Sequence, residues 1–217
     1  MYRALLFDLD GTLAETDSLH LPTWVDTLEP YGVEVDEEFY RDRISGRSTG
    51  EIVRELLPHL TAEENRLVGD AKEASFRDRA VELESLPGLI DFVERGRTSG
   101  MKIALVTNAP EENVEAILLA LELRDYFDMV VLADEVEAVK PDPAPYRAAL
   151  KKAGVPAEEA LAFEDSISGI SSSVAAGIPT VGIASSQDPE RLLEAGAFMT
   201  AEDFTDEQLW AMIDPRV

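Results

Sequence analysis

The sequence predicts an α/β protein: a parallel sheet with helices on both faces and a helical insertion after the first strand. Two observations carry this. Short apolar runs alternate with helical segments from about residue 85 onward, the pattern of a parallel sheet covered on both sides. Between the first apolar run and that point the chain is helical and polar, with no convincing strand. The reading therefore divides the chain into an α/β core of residues 1–14 with 85–217 and a helical segment of residues 15–84.

Residues 3–8 read as the first strand, from the apolar run Ala4-Leu5-Leu6-Phe7. Leu21, Trp24, Val25 and Leu28, at three- and four-residue spacing, mark one apolar face of a helix over 19–31. Residues 36–44 read as a short helix. A third covers 51–57, closed by Pro58. The helix over 61–83 opens with Thr61 and, three residues on, Glu64, a capping-box pattern. Four strands then follow at 101–106, 129–132, 160–163 and 180–183, with a weak fifth candidate at 197–199. Helices are expected over 88–98, 111–122, 143–153, 166–176 and 188–195.

Composition narrows the function classes. With 217 residues the chain has room for one core domain and a modest insertion. Forty-four acidic against 19 basic residues give a net charge of -25. Such a surface repels nucleic acid and anionic membranes, so neither is an expected partner. A phosphorylated substrate would need local positive charge or a metal. Arginine far outnumbers lysine, of which there are five. This acidic, lysine-poor balance resembles proteins of salt-loving organisms, and equally fits an ordinary acidic protein. No apolar run reaches the roughly 18 residues of a membrane span. Asp8 and Asp10 interrupt the first apolar run too early for a signal peptide. Cysteine is absent, which excludes disulfides, thiolate zinc sites and cysteine nucleophiles and fits a cytoplasmic location. No exposed apolar stripe stands out, and a monomer or weak dimer is expected.

The most specific signal is Phe7-Asp8-Leu9-Asp10-Gly11-Thr12. Side chains alternate along a strand, so a strand through both aspartates would point them the same way. Gly11 lets the chain turn where the strand stops. The carboxyl ends of strands are where open α/β sheets bind ligands. One carboxylate there can attack, the other can move protons, and both can sit near a hard cation. Three later strand ends also carry chemistry. Thr107 and Asn108 end the second core strand with a hydroxyl and an amide. Lys140 precedes Pro141-Asp142-Pro143, a rigid turn before a helix. Glu164 and Asp165 end the strand of residues 160–163, where adjacent acids are costly unless they hold a cation.

In order and spacing these four motifs resemble the haloacid dehalogenase-like (HAD) superfamily of aspartate-nucleophile phosphatases and phosphomutases. The resemblance spans Asp8 to Asp165, nearly the whole chain. It implies a Rossmann-like core with a helical cap that closes over the site, excludes water and selects the substrate. It implies Asp8 as nucleophile, forming an aspartyl-phosphate, and Asp10 as general acid-base. Thr107 would hydrogen-bond the transferring phosphoryl and Asn108 would bind substrate. Lys140 would neutralise the nucleophile and the developing phosphoryl charge. Mg²⁺ would be held by Asp8, the carbonyl of Asp10 and Asp165, with Glu164 direct or through water.

Within the helical segment, Thr16, His20 and Lys72 fall where capped members place groups near the substrate. Gly46-Arg47-Ser48-Thr49 resembles a cap loop whose Arg47 would clasp an anionic substrate. The nearest branch is that of beta-phosphoglucomutase and phosphoglycolate phosphatase. Mutase members resemble a pattern with an arginine just after the Ser48 position and a lysine three residues after the Thr107 position. Here those places hold Thr49 and Pro110. The expected activity is thus a Mg²⁺-dependent phosphatase for a small phosphorylated metabolite, of sugar phosphate or phosphoglycolate type. A phosphosugar mutase is the alternative. A 2-haloacid dehalogenase would need neither Asp10 nor the acidic pair, and a non-enzymatic phosphoacceptor module would carry no cap.

Overall fold

The structure is a computed structural model and describes residues 2–45 and 47–213. Gly46, part of the expected cap loop, lies outside the described residues. The elements run β1 (Ala4–Phe7), α1 (Asp17–Leu28), α2 (Glu37–Arg43), α3 (Thr49–Leu56), α4 (Ala62–Arg79), α5 (Leu89–Thr98), β2 (Lys102–Val106), α6 (Glu111–Ala120), β3 (Met129–Val131), α7 (Ala144–Ala153), β4 (Ala160–Glu164), α8 (Ile167–Ala175), β5 (Thr180–Ile183), α9 (Pro189–Glu194), β6 (Met199–Ala201) and α10 (Glu207–Ile213). No described helix is long and apolar enough to cross a membrane.

The chain divides into two compact units. One holds the residues up to Glu15 and those from Glu84 onward; the other is Thr16–Leu83. In the first, six parallel strands are ordered β3-β2-β1-β4-β5-β6. The strand order reverses beside β1, and the carboxyl ends of β1 and β4 lie side by side, with Phe7 paired to Phe163. This is the topological switch point at which doubly wound sheets bind ligands.

Strand alternation sorts the two faces. Ala4, Leu6, Ala104, Val106, Ala160 and Ala162 meet Tyr146 and Ala149 of α7, the small alanines allowing close approach of the helix. Leu5 and Phe7 have the opposite parity, and Phe7 stacks on Phe163 at 4.8 Å between ring centroids. Phe92 from α5 and Phe204 complete that aromatic layer, each 5.4 Å from Phe163. Asp8 and Glu164 continue the parity of Leu6 and Ala162, toward the α7 face.

Two strand expectations shift. The first strand is shorter than residues 3–8, because after Phe7 only the Asp8 N–H continues the ladder, to the Phe163 carbonyl at 3.0 Å. Beyond it the N–H groups of Thr12 and Leu13 turn back onto the Leu9 carbonyl. Asp10 therefore lies in a turn bridged to Ala14 rather than in the strand. The last strand is Met199–Ala201 rather than 197–199, with the Phe198 N–H bonded to the Thr180 carbonyl. The carboxy-terminal helix α10 had no expectation.

The helical unit has its own core: Trp24, Leu28, Tyr40, Ile44, Ile52, Val53, Leu57 and Val68 are buried together. The capping box forms as its pattern predicts, with the Glu64 N–H on Thr61 Oγ1 at 3.3 Å and the Thr61 N–H on Glu64 Oε2 at 2.8 Å.

Candidate active site

Four of the residues singled out in the sequence converge at the carboxyl ends of β1 and β4. Asp8, Glu164 and Asp165 each offer a carboxylate oxygen within 4.8 Å of the others, and all three are buried. Lys140 Nζ donates to Asp8 Oδ1 at 2.6 Å and lies 2.6 Å from Glu164 Oε1. Lys140 arrives on the loop before α7, its bond to Pro141 cis. Both the N–H and the carbonyl of Lys140 are bonded by the Asn108 side chain, at 3.2 and 3.3 Å. The Asn108 amide, expected to bind substrate, is thus engaged in holding Lys140. Thr107 is buried at the end of β2, and its Oγ1 accepts the Ala109 N–H at 3.0 Å.

Glycine at position 11 has a specific reason. Its φ is +71°, and a Cβ there would lie 2.1 Å from Asp165 Oδ2. Only glycine lets the Asp8-to-Thr12 turn approach the Asp165 carboxylate so closely. Gly169, in the first turn of α8, makes the matching room for Glu164: a Cβ would fall 1.8 Å from Glu164 Oε2.

Three residues of the site carried no sequence expectation. Tyr146 Oη donates to Glu164 Oε1 at 2.5 Å. Ser186 Oγ donates to Asp165 Oδ2, and Ser185 Oγ to the Gly11 carbonyl. The two serines follow β5, one strand further along the same edge, which is the signal that could have found them.

Burial raises the Asp8 carboxyl to about 7; the Lys140 ammonium opposes the rise, and the charges of Glu164 and Asp10 add to it. Asp165 is raised well above the usual carboxylate range, by burial first and then by Asp8. Burial alone would lower Lys140, but the charges of Asp8 and Glu164 outweigh it and hold the ammonium above its ordinary value. With all three carboxyls ionised, three carboxylates against one ammonium leave two negative charges in a buried, all-oxygen donor set. That is the charge and ligand chemistry of a hard divalent cation, so these residues fit Mg²⁺. Asp10 is half-buried, close enough for its charge to act on both Asp8 and Asp165.

The remaining expected residues belong to the helical unit. Thr16 is buried at the start of α1, its carbonyl accepting the N–H groups of Leu19 and His20. Lys72 is buried. Its Nζ is 3.1 Å from His20 Nδ1 and 3.2 Å from Glu73 Oε1, and it lies over the rings of Trp24 and Phe76. His20 stacks on Phe76 at 4.0 Å. Arg47 donates to Glu55 Oε2 at 2.6 Å and to the Arg43 carbonyl at 2.9 Å.

The family model described as haloacid dehalogenase-like hydrolase matches residues 5–183. Protein CbbY of Cereibacter sphaeroides is 34% identical over 190 residues, covering 82% of each chain. A phosphorylated carbohydrates phosphatase of Thermotoga maritima is 34% identical over 201 residues, 89% of this chain and 91% of that one. Among solved structures, a mutant CbbY from Rhodobacter sphaeroides in complex with xylulose-(1,5)bisphosphate superposes with a TM-score of 0.82. It is 30% identical and covers 95% of this chain and 96% of its own.

Proposed function

This chain belongs to the haloacid dehalogenase-like hydrolases, and from that premise we propose that it is a Mg²⁺-dependent phosphatase of small phosphorylated metabolites, of sugar phosphate or phosphoglycolate type. The observation that carries the reading is the buried Lys140 ammonium on Asp8 Oδ1 at 2.6 Å, inside a cluster of three carboxylates.

In this reading an Asp8 oxygen bonds to phosphorus as the ester P–O bond breaks. Asp10 gives its proton to the departing alkoxide. Asp10 then takes a proton from water, whose oxygen attacks the aspartyl-phosphate and releases inorganic phosphate and free Asp8. Lys140 lowers the charge repulsion between Asp8 and an incoming phosphate and stabilises the charge that builds on the transferring group. Thr107 sits at the adjoining strand end as the phosphoryl-binding hydroxyl. Asp8, the Asp10 carbonyl and Asp165 would hold Mg²⁺, which would supply positive charge to offset that of the phosphoryl group. Glu164 already accepts bonds from Lys140 and Tyr146 on Oε1, which suits it to anchoring the lysine.

The helical unit is assigned the part of a cap, the carrier of substrate selection. Its Arg47 is paired with Glu55, and Thr49 and Pro110 stand where a mutase pattern has arginine and lysine. A second phosphate is therefore without the two cations of the mutase pattern, which favours hydrolysis over phosphate return.

The test is phosphate release from a panel of sugar phosphates and phosphoglycolate with Mg²⁺, using Asp8→Asn as control. Release by the wild type alone is expected. Release undiminished in Asp8→Asn would remove the nucleophile assignment. No release on any substrate, with conversion of a sugar 1-phosphate given its bisphosphate primer, would move the chain to the mutases.

A further inference from the structure

We propose that Tyr146 is a positioning residue of this site, holding Lys140 on the nucleophile through the Glu164 carboxylate. Tyr146 lies in the first turn of α7 and is fully buried, as is Glu164. A buried phenol needs a hydrogen-bond partner. It takes Glu164 Oε1 at 2.5 Å, the same oxygen that faces Lys140 Nζ at 2.6 Å. The Tyr146 ring lies 5.3 Å from Lys140 Nζ, within reach of a cation–π attraction. One tyrosine thus contacts both members of the ion pair, one with its hydroxyl and the other with its ring.

The arrangement has a consequence for Asp8. The ammonium stands between two carboxylates at equal distance, 2.6 Å from Asp8 and 2.6 Å from Glu164. The hydroxyl bond draws charge from Glu164 Oε1, which keeps that carboxylate from taking the ammonium away from Asp8. Phenylalanine would fill the same space and keep the ring. Ser166 Oγ also donates to this carboxylate, but to Oε2 and at 3.4 Å, so on the oxygen that faces Lys140 the hydroxyl of Tyr146 is what phenylalanine would remove.

The kinetic consequence rests on the phosphatase reading; the placement of Lys140 does not, and the experiment reads the two separately. In protein labelled with ¹⁵N-lysine, the ammonium groups of the five lysines are few enough to resolve, and Lys72 and Lys140 are the buried ones among the described residues. The Lys140 signal is identified by its loss in Lys140→Arg. Tyr146→Phe is expected to shift that signal and speed its hydrogen exchange while leaving Lys72 unchanged. It is expected to lower kcat about tenfold, the order typical of groups that orient a catalytic residue, with KM within about twofold. In a Glu164→Gln background the Tyr146→Phe effect on kcat should vanish, as a double-mutant cycle requires of residues acting in series.

An unshifted Lys140 signal in folded Tyr146→Phe overturns the proposal, as does an effect on kcat that simply adds to that of Glu164→Gln. Should Tyr146→Phe not fold, the wild type decides: a slowly exchanging tyrosine hydroxyl proton that moves in Glu164→Gln supports the bond, and its absence overturns it. A shifted Lys140 signal in a protein that releases no phosphate would keep the positioning role and sink the phosphatase reading instead.

Discussion

Lys140 and Asp8, 132 positions apart in the chain, form a buried ion pair at 2.6 Å. Removing one partner of such a pair leaves the other charge buried without compensation. Lys140→Met is expected to destabilise the fold by about 3–5 kcal/mol at neutral pH and to abolish turnover. Urea unfolding should show the loss shrinking toward pH 5, where Asp8 can take up a proton. Stability equal to wild type at pH 8 would contradict the pairing.

Asp10→Asn removes the proton donor but leaves Asp8 and Lys140 in place. Rates on alkyl phosphates, whose alkoxides depart poorly, should fall by about 10²–10⁴-fold. Rates on 4-nitrophenyl phosphate should fall much less. Equal losses on both substrates would assign Asp10 another part.

Asp8 sits at about 7 in the folded protein, above the ordinary aspartate value of 3.8. Between those two values the folded state binds more protons than the unfolded chain, so stability falls as pH rises through that window. Asp165 is displaced the same way. In chelator, the melting temperature should therefore be higher at pH 5 than at pH 8. Mg²⁺ competes with these protons, so it should raise the melting temperature more at pH 8 and restore the activity that EDTA removes. A larger Mg²⁺ effect at pH 5 would place the cation elsewhere.

Gly169→Ala sets two effects against each other. Helix propensity favours alanine by about 1 kcal/mol. The new Cβ would lie 1.8 Å from Glu164 Oε2, on a carboxylate whose other oxygen is held by Tyr146 and Lys140. Overpacking of this kind costs about 1–3 kcal/mol, and the clash should win. Lower stability in urea and a reduced kcat are expected; a more stable, fully active variant would show that Glu164 moves freely.

At a net charge of -25 the protein repels itself. Screening shortens the reach of that repulsion from about 10 Å at 0.1 M salt to about 3 Å at 1 M. If the acidic surface is an adaptation to salt, the melting temperature should climb steadily into molar KCl. A maximum at low KCl rejects the idea.

Asp8, Lys140, Glu164 and Asp165 were legible in the sequence because each stands at or near the end of a segment whose pattern marks a parallel strand or the loop after one. Tyr146 was not. Its place in α7 fits apolar periodicity, so it reads as core, and only three-dimensional proximity brings its hydroxyl to Glu164. Ser185 and Ser186 read as an ordinary polar loop, and their partners Gly11 and Asp165 are distant in the chain. The reach of β1 was overestimated for a related reason. Asp8 reads as the last strand residue, and its N–H does continue the ladder to the Phe163 carbonyl, but the next carbonyl, that of Leu9, accepts the N–H groups of Thr12 and Leu13 and closes a turn that periodicity does not register.

Ala14 and Ser85 form an antiparallel bridge, and the Leu86 N–H binds the Leu13 carbonyl at 2.8 Å. The chain thus re-enters the sheet unit beside the point where it left. Closing a loop grows costlier only slowly with its length, by about 0.6 kcal/mol per doubling. The segment between these two residues is therefore an exchangeable cassette. Descendants could lengthen, trim or replace it without disturbing strand register, while the carboxylates and their lysine stay fixed.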